Sequence, residues 1–140
     1  MKSLKKVQSY LLAECFNKLF IGGQFVDPID GEKFPTYYPA TGELLHELPD
    51  GKANDVEEAI SSAEDAWAEG TWADMSAADR AEIVLKIAQG IEDNLEMLAE
   101  IEAADVGKPY RQAAKVMDGA ASEGKYCLLY TSDAADESTC

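Results

Sequence analysis

The chain has 140 residues, 46% of them hydrophobic, and a formal net charge of −15 from 27 acidic and 12 basic side chains. Its length suits one domain or part of one, and no apolar run approaches the ~20 residues that span a bilayer. The acidity leaves no basic stripe for phosphates and argues against nucleic-acid binding, while Cys15, Cys127 and Cys140 show neither metal-ligand spacing nor the even count of a disulfide framework.

Residues 1–17 place Lys2, Lys5 and Lys6 ahead of Tyr10, Leu11 and Leu12. Gln8, Ser9 and Glu14 interrupt any stretch long enough for a secretory leader. The segment reads as a short amphipathic extension, and a cytoplasmic location is expected. Lys18 to Asp27 has the form of a hairpin, with Gly22-Gly23 supplying the positive φ angles of a two-residue turn. After turn chemistry at Asp27 to Gly31 a second hairpin is predicted, from Phe34–Tyr38 through Pro39-Ala40-Thr41-Gly42 to Glu43–Leu48. In its last strand Leu44, His46 and Leu48 share one face.

From Asn54 the apolar period changes from 2 to about 3.6. Asn54 is the expected N-cap with Glu57 completing a capping box, and Val56, Ala59, Ile60, Ala63 and Trp67 form the stripe up to a stop at Gly70. Ser76 and Asp79 cap the next helix, which carries Ile83, Val84, Ile87, Ala88 and Ile91. Asn94 interrupts it, Leu95, Leu98 and Ile101 carry on to Gly107, and Pro109 opens a last helix through Ala113, Val116 and Met117. Two hairpins followed by three or four amphipathic helices give little sheet to cover these stripes. Ile60, Trp67, Ile83, Ile87 and Leu98 are expected to be poorly covered, leaving the chain by itself unstable, molten or associating.

These residues resemble the N-terminal region of the aldehyde dehydrogenase superfamily. The matching landmarks are LFIGGQFVD at 19–27, FPTYYPATGELL at 34–45, NDVEEAISSAEDAW at 54–67 and DRAEIVLKIAQGIEDNLEMLAEIEAADVGKP at 79–109. The resemblance covers residues 18–126 and implies an α/β parent with a Rossmann-like NAD(P)-binding domain, to which this region contributes hairpins and outer helices. It implies oxidation of an aldehyde to a carboxylic acid with NAD or NADP. A cysteine thiolate adds to the carbonyl, hydride leaves to the nicotinamide, and water hydrolyses the thioester with a glutamate as base. The family's catalytic and nucleotide-contacting residues lie downstream of the matched region, so no catalytic and no cofactor-binding residue is carried onto this chain. The family also implies a homo-oligomer, dimer or tetramer, and no membrane partner. Some members hold a structural monovalent cation, and Thr36, Tyr37 and Asp105 occupy the matching positions; a capping or loop role explains Asp105 equally well.

Residues 127–140 depart from this pattern. Cys127 to Glu137, CLLYTSDAADE, resembles one reading frame of the adapter used in transposon-based sequencing libraries, so 127–140 is expected to be an adapter-derived tail. On that reading Cys127 is not the family's nucleophile.

Other candidates have plainer explanations. Gly119 to Lys125 matches the start of a P-loop, but Tyr126 replaces the Ser or Thr that would ligate Mg²⁺, and the segment follows a helical pattern. His46 is the sole histidine and has no partner at motif spacing, so a structural place on its strand is favoured. Glu92, Asp93, Glu96, Glu100 and Glu102 read as a solvated helix face, and Trp67 and Trp72 as packing residues. Two alternatives stay open: a small acidic non-catalytic helical interaction protein, and a fragment of a CoA-acylating relative.

Overall fold

The computed structural model describes residues 4–136, with side chains described to residue 126. The chain opens with α1 (Leu4–Tyr10) and a 3₁₀ turn at Glu14–Phe16, then β1 (Leu19–Ile21), β2 (Gln24–Val26), β3 (Lys33–Tyr37) and β4 (Leu44–Pro49). Four helices complete it: α2 (Ala53–Ala68), α3 (Ala77–Asp93), α4 (Leu95–Val106) and α5 (Tyr110–Asp136). The predicted order of two hairpins and then helices is present. The backbone of α5 runs on through 127–136, into the segment read as a tail, and the rest of that segment lies outside the described residues. No described helix is long and apolar enough to cross a membrane.

Both hairpins are antiparallel pairs joined to no other strand among the described residues. In the first, Phe20 lies opposite Phe25 and Gly22 and Gly23 turn with φ of 59° and 75°, which suits a two-residue turn of matching twist. The two rings meet at 5.1 Å between centroids on an exposed face. In the second, Thr36 pairs with His46, and an irregularity between Thr36 and Tyr37 shifts the register so that Tyr37 pairs with Leu44. The face the chain buries is that of Leu45, 4% exposed, whereas Leu44 is 47% exposed.

The N-terminal segment is more than an appended extension. Val7 and Leu11 join Tyr38, Leu45 and Ala104 in one buried cluster, flanked by Leu4, Phe16 and Ile101. A second cluster, of Ala99, Ala103 and Ala113 with Tyr110, Ala114 and Met117 packed against it, lies between α4 and α5. Ala88 of α3 and Ala121 of α5 are also fully buried. Small residues let helix backbones approach closely: a Cβ built on Gly124 would sit only 3.6 Å from that of Ala88. The expected stripe of α4 is therefore misplaced by about one residue. Leu95, Leu98 and Ile101 are half-buried while the alanines beside them take the tightest contacts.

Helix ends follow the sequence in most places. Ser76 Oγ accepts from Asp79 N at 3.2 Å and donates to the Asp79 carboxylate at 2.6 Å. Asn94 separates α3 from α4, its side chain donating to Gly90 O at 2.8 Å. Gly107 ends α4 with φ of 70°, and Pro109 O accepts from Gln112 and Ala113 at the start of α5. The start of α2 is a correction: the helix begins at Ala53 after Lys52, so Asn54 and Glu57 do not cap it. Asp55 does, because its carboxylate is the group within reach of the turn's free amides.

Candidate functional site

Among the described residues, three places hold chemistry-bearing groups wholly or partly away from solvent. At the first, Asp55 is 3% exposed and its two oxygens accept from Lys52 N at 2.8 Å and Ile29 N at 2.9 Å. The amides of Lys52 and Ile29, in that order, hold its carboxyl below the ordinary 3.8, because hydrogen bonds to the ionised form favour it. This ties the loop after β2 to the start of α2. Near it Lys52 Nζ meets Asp50 at 2.5 Å and Glu32 at 3.1 Å, which raise its pKa.

At the second, Glu100 of α4 is 3% exposed. Lys6 Nζ lies 3.1 Å from its carboxylate, and Tyr10 OH donates to it at 3.1 Å. Its place in the predicted solvated face is overturned, because α1 folds over it. Glu92 and Glu102 are also half-buried, paired with Lys125 and Lys108, each at 2.6 Å. Asp93 and Glu96 keep the exposed positions expected of them.

The third is a narrow cleft of about 170 Å³ between the second hairpin, α4 and the N-terminal segment. Thr36 and Asp105 both line it, together with His46 and the side chains of Leu45, Leu48 and Ile101. Thr36 Oγ1 donates to His46 O at 3.2 Å. Tyr37, the remaining member of the expected cation set, is 54% exposed and does not line the cleft. The polar side chains facing this space are few, so main-chain oxygens would have to supply most of any cation's shell. No cluster of three or more His, Cys, Asp or Glu converges among the described residues. The Nε2 of His46 is buried and has no hydrogen-bond partner among them.

None of these places pairs a nucleophile with a base. Cys15, the one thiol whose side chain is described, is exposed on the 3₁₀ turn. The P-loop-like run from Gly119 to Lys125 lies wholly inside α5, with Lys125 taken by Glu92. It presents no loop to a phosphate. The described residues thus form hairpins and helices tied by buried carboxylates.

The aldehyde dehydrogenase family model matches residues 25–139. The chain belongs to the aldehyde dehydrogenase family. It is 42% identical over 101 residues to the mitochondrial benzaldehyde dehydrogenase of Antirrhinum majus, covering 72% of this chain and 19% of that protein. It is 40% identical over 122 residues to aldehyde dehydrogenase 1 of Tanacetum cinerariifolium, covering 87% of this chain and 24% of that one. Among solved structures it resembles the NAD⁺ complex of aldehyde dehydrogenase from Bacillus cereus, with 37% identity and a TM-score of 0.83 over 91% of this chain and 26% of that one. The chain spans about a quarter or less of the length of these relatives. Its hairpins and helices are those of the N-terminal part of the aldehyde dehydrogenase α/β fold. Motif reasoning missed Asp55 and misread Glu100; for Asp55 the signal was available, as an acid in the first turn of a helix after Pro49-Asp50-Gly51.

Proposed function

We propose that the whole aldehyde dehydrogenase to which this chain belongs oxidises an aldehyde to a carboxylic acid with NAD⁺ or NADP⁺, and that residues 18–126 serve it as scaffold. The match to the family along most of the chain carries this reading. NAD(P)⁺, when bound, accepts the hydride; the thiol nucleophile and carboxylate base lie in sequence beyond the matched region. What the described residues do is hold the hairpins and helices in register, through the Asp55 tie, the Glu100 cluster and the alanine-lined contacts of α3, α4 and α5. A homo-oligomer and a cytoplasmic location belong to the same proposal.

The test is to read the source locus through codon 126 and express both forms. The reading frame should continue to a nucleophilic cysteine and a glutamate base, with 127–140 absent as an adapter-derived tail. The longer protein should reduce NAD⁺ or NADP⁺ with an aldehyde and without added coenzyme A. The 140-residue chain should give no turnover above background. A requirement for coenzyme A would move the enzyme to the acylating branch. A locus that encodes CLLYTSDAADE and then stops would favour a non-catalytic acidic interaction protein.

A structural monovalent cation held by Thr36, the main chain of Tyr37 and Asp105 is the second reading, favoured by Thr36 and Asp105 sharing one cleft. On it, replacing potassium or sodium by choline should lower the melting temperature of the longer protein by a few degrees, and Asp105→Ala should abolish that difference. Equal melting temperatures in the two salts would dismiss the cation.

A further inference from the structure

We infer that residues 4–17 form a strap that folds as it docks, latched by the Lys6–Glu100–Tyr10 cluster, and that its release opens the cleft holding His46. α1 has seven residues, well short of the ~12–15 at which an isolated helix becomes even marginal in water. Its helical form therefore depends on what it lies against. It spends Val7 and Leu11 on the core and draws its polar ties from two neighbours: Lys6 and Tyr10 meet Glu100 of α4, and Gln8 Nε2 donates to Leu44 O at 2.9 Å. Lys6 also approaches Glu96 at 3.6 Å. Leu11 and Phe16 then form the strap's wall of the cleft, facing Leu45, His46 and Asp105.

Docking and helix formation are one event, because neither the short helix nor its contacts persist alone. The latch is concentrated on one carboxylate whose side chain is 4% exposed. Placing a negative charge at Lys6 sets it against both Glu96 and Glu100, so the strap should lift without any change within α3 or α5.

His46 reports the event, being the one histidine of the sequence. The measurement is its rate of modification by diethyl pyrocarbonate in the longer protein that the source locus encodes, read on the peptide carrying His46 by mass spectrometry, with far-UV circular dichroism alongside. Wild-type His46, half-buried and with its Nε2 shut away from solvent, should react at that nitrogen at least about tenfold more slowly than free N-acetylhistidine, since Nε2 is reached by local opening. Lys6→Glu should remove most of that protection while retaining most of the helical signal. The charge-swapped K6E/E100K variant should bring the slow rate back toward wild type. A wild-type His46 as reactive as the free amino acid overturns the strap. So does a K6E rate equal to wild type, or a fast rate that the charge swap leaves uncorrected, since general loosening would then explain the exposure.

Discussion

Replacing Asp55 by alanine should strip two backbone amides of their acceptor at once, lowering the exchange protection of Ile29 and Lys52 by about tenfold or more. Both amides lose a charge-assisted bond, and the loop after β2 loses its tie to α2. Asp55→Asn keeps an acceptor oxygen without the charge and should fall between the two. The sign of the pH dependence follows from the depressed pKa. A carboxyl whose folded value lies below its unfolded value contributes stability that is fully present above the unfolded pKa, and loses it as pH falls through the folded one. Protection of the two amides in the wild type should therefore hold at neutral pH and decay below an ordinary 3.8, whereas Asp55→Ala should show no such step. Protection factors for Ile29 and Lys52, measured from neutral pH into acid, decide it. Equal factors in wild type and Asp55→Ala would remove Asp55 from its place at the head of α2.

The second large effect concerns the chain by itself. Trp67 is 68% exposed, Phe20 65%, Ile87 59% and Ile60 55%. A shallow groove of about 790 Å³ runs between the first hairpin and α2. Among the described residues, the largest side chain buried to below 2% exposure is only that of Val7. Apolar surface of this kind is worth roughly 25 cal/mol per Å² when removed from water, so copies of the chain should cover it with one another. Of the unstable, molten and associating states anticipated from the stripes, association is the one these exposures favour. The 140-residue chain should bind 8-anilinonaphthalene-1-sulfonate and sediment as concentration-dependent oligomers. Paired Ile60→Ser and Trp67→Ser changes should reduce both signals. A monodisperse monomer with no dye binding and a sharp reversible melt would contradict this.

How much of this was legible depended on the kind of signal. Turn residues and caps were read correctly at Gly22-Gly23, Gly42, Ser76, Asn94, Gly107 and Pro109, because each answers to a local rule of φ angle or free amide. The N-terminus of α2 was misread because Asn54 looks like a cap in sequence, while the acceptor that reaches Ile29 lies one residue on and 26 away in the chain. Glu100 was misread for the same reason: its partners Lys6 and Tyr10 are some ninety residues distant. The core of α4 also escaped, since periodicity weights Leu98 and Ile101 above Ala99, Ala103 and Ala104, while close helix approach favours the small residues. Of the expected cation set, the two hydrogen-bonded or acidic side chains, Thr36 and Asp105, come to one cleft, and strand alternation turns the side chain of Tyr37 away from it.

The alanine contacts among α3, α4 and α5 have a thermal consequence. Alanine loses no rotamer entropy on burial and removes little apolar area per residue, so joining these helices carries a small heat-capacity change. The contact should consequently show little of the cold weakening that accompanies a large heat-capacity change. The uncovered stripe of α2 and the exposed Ile87 of α3 behave oppositely, since attraction between large apolar surfaces weakens on cooling. Cold should dissolve the contacts between copies while the three helices of each copy stay together.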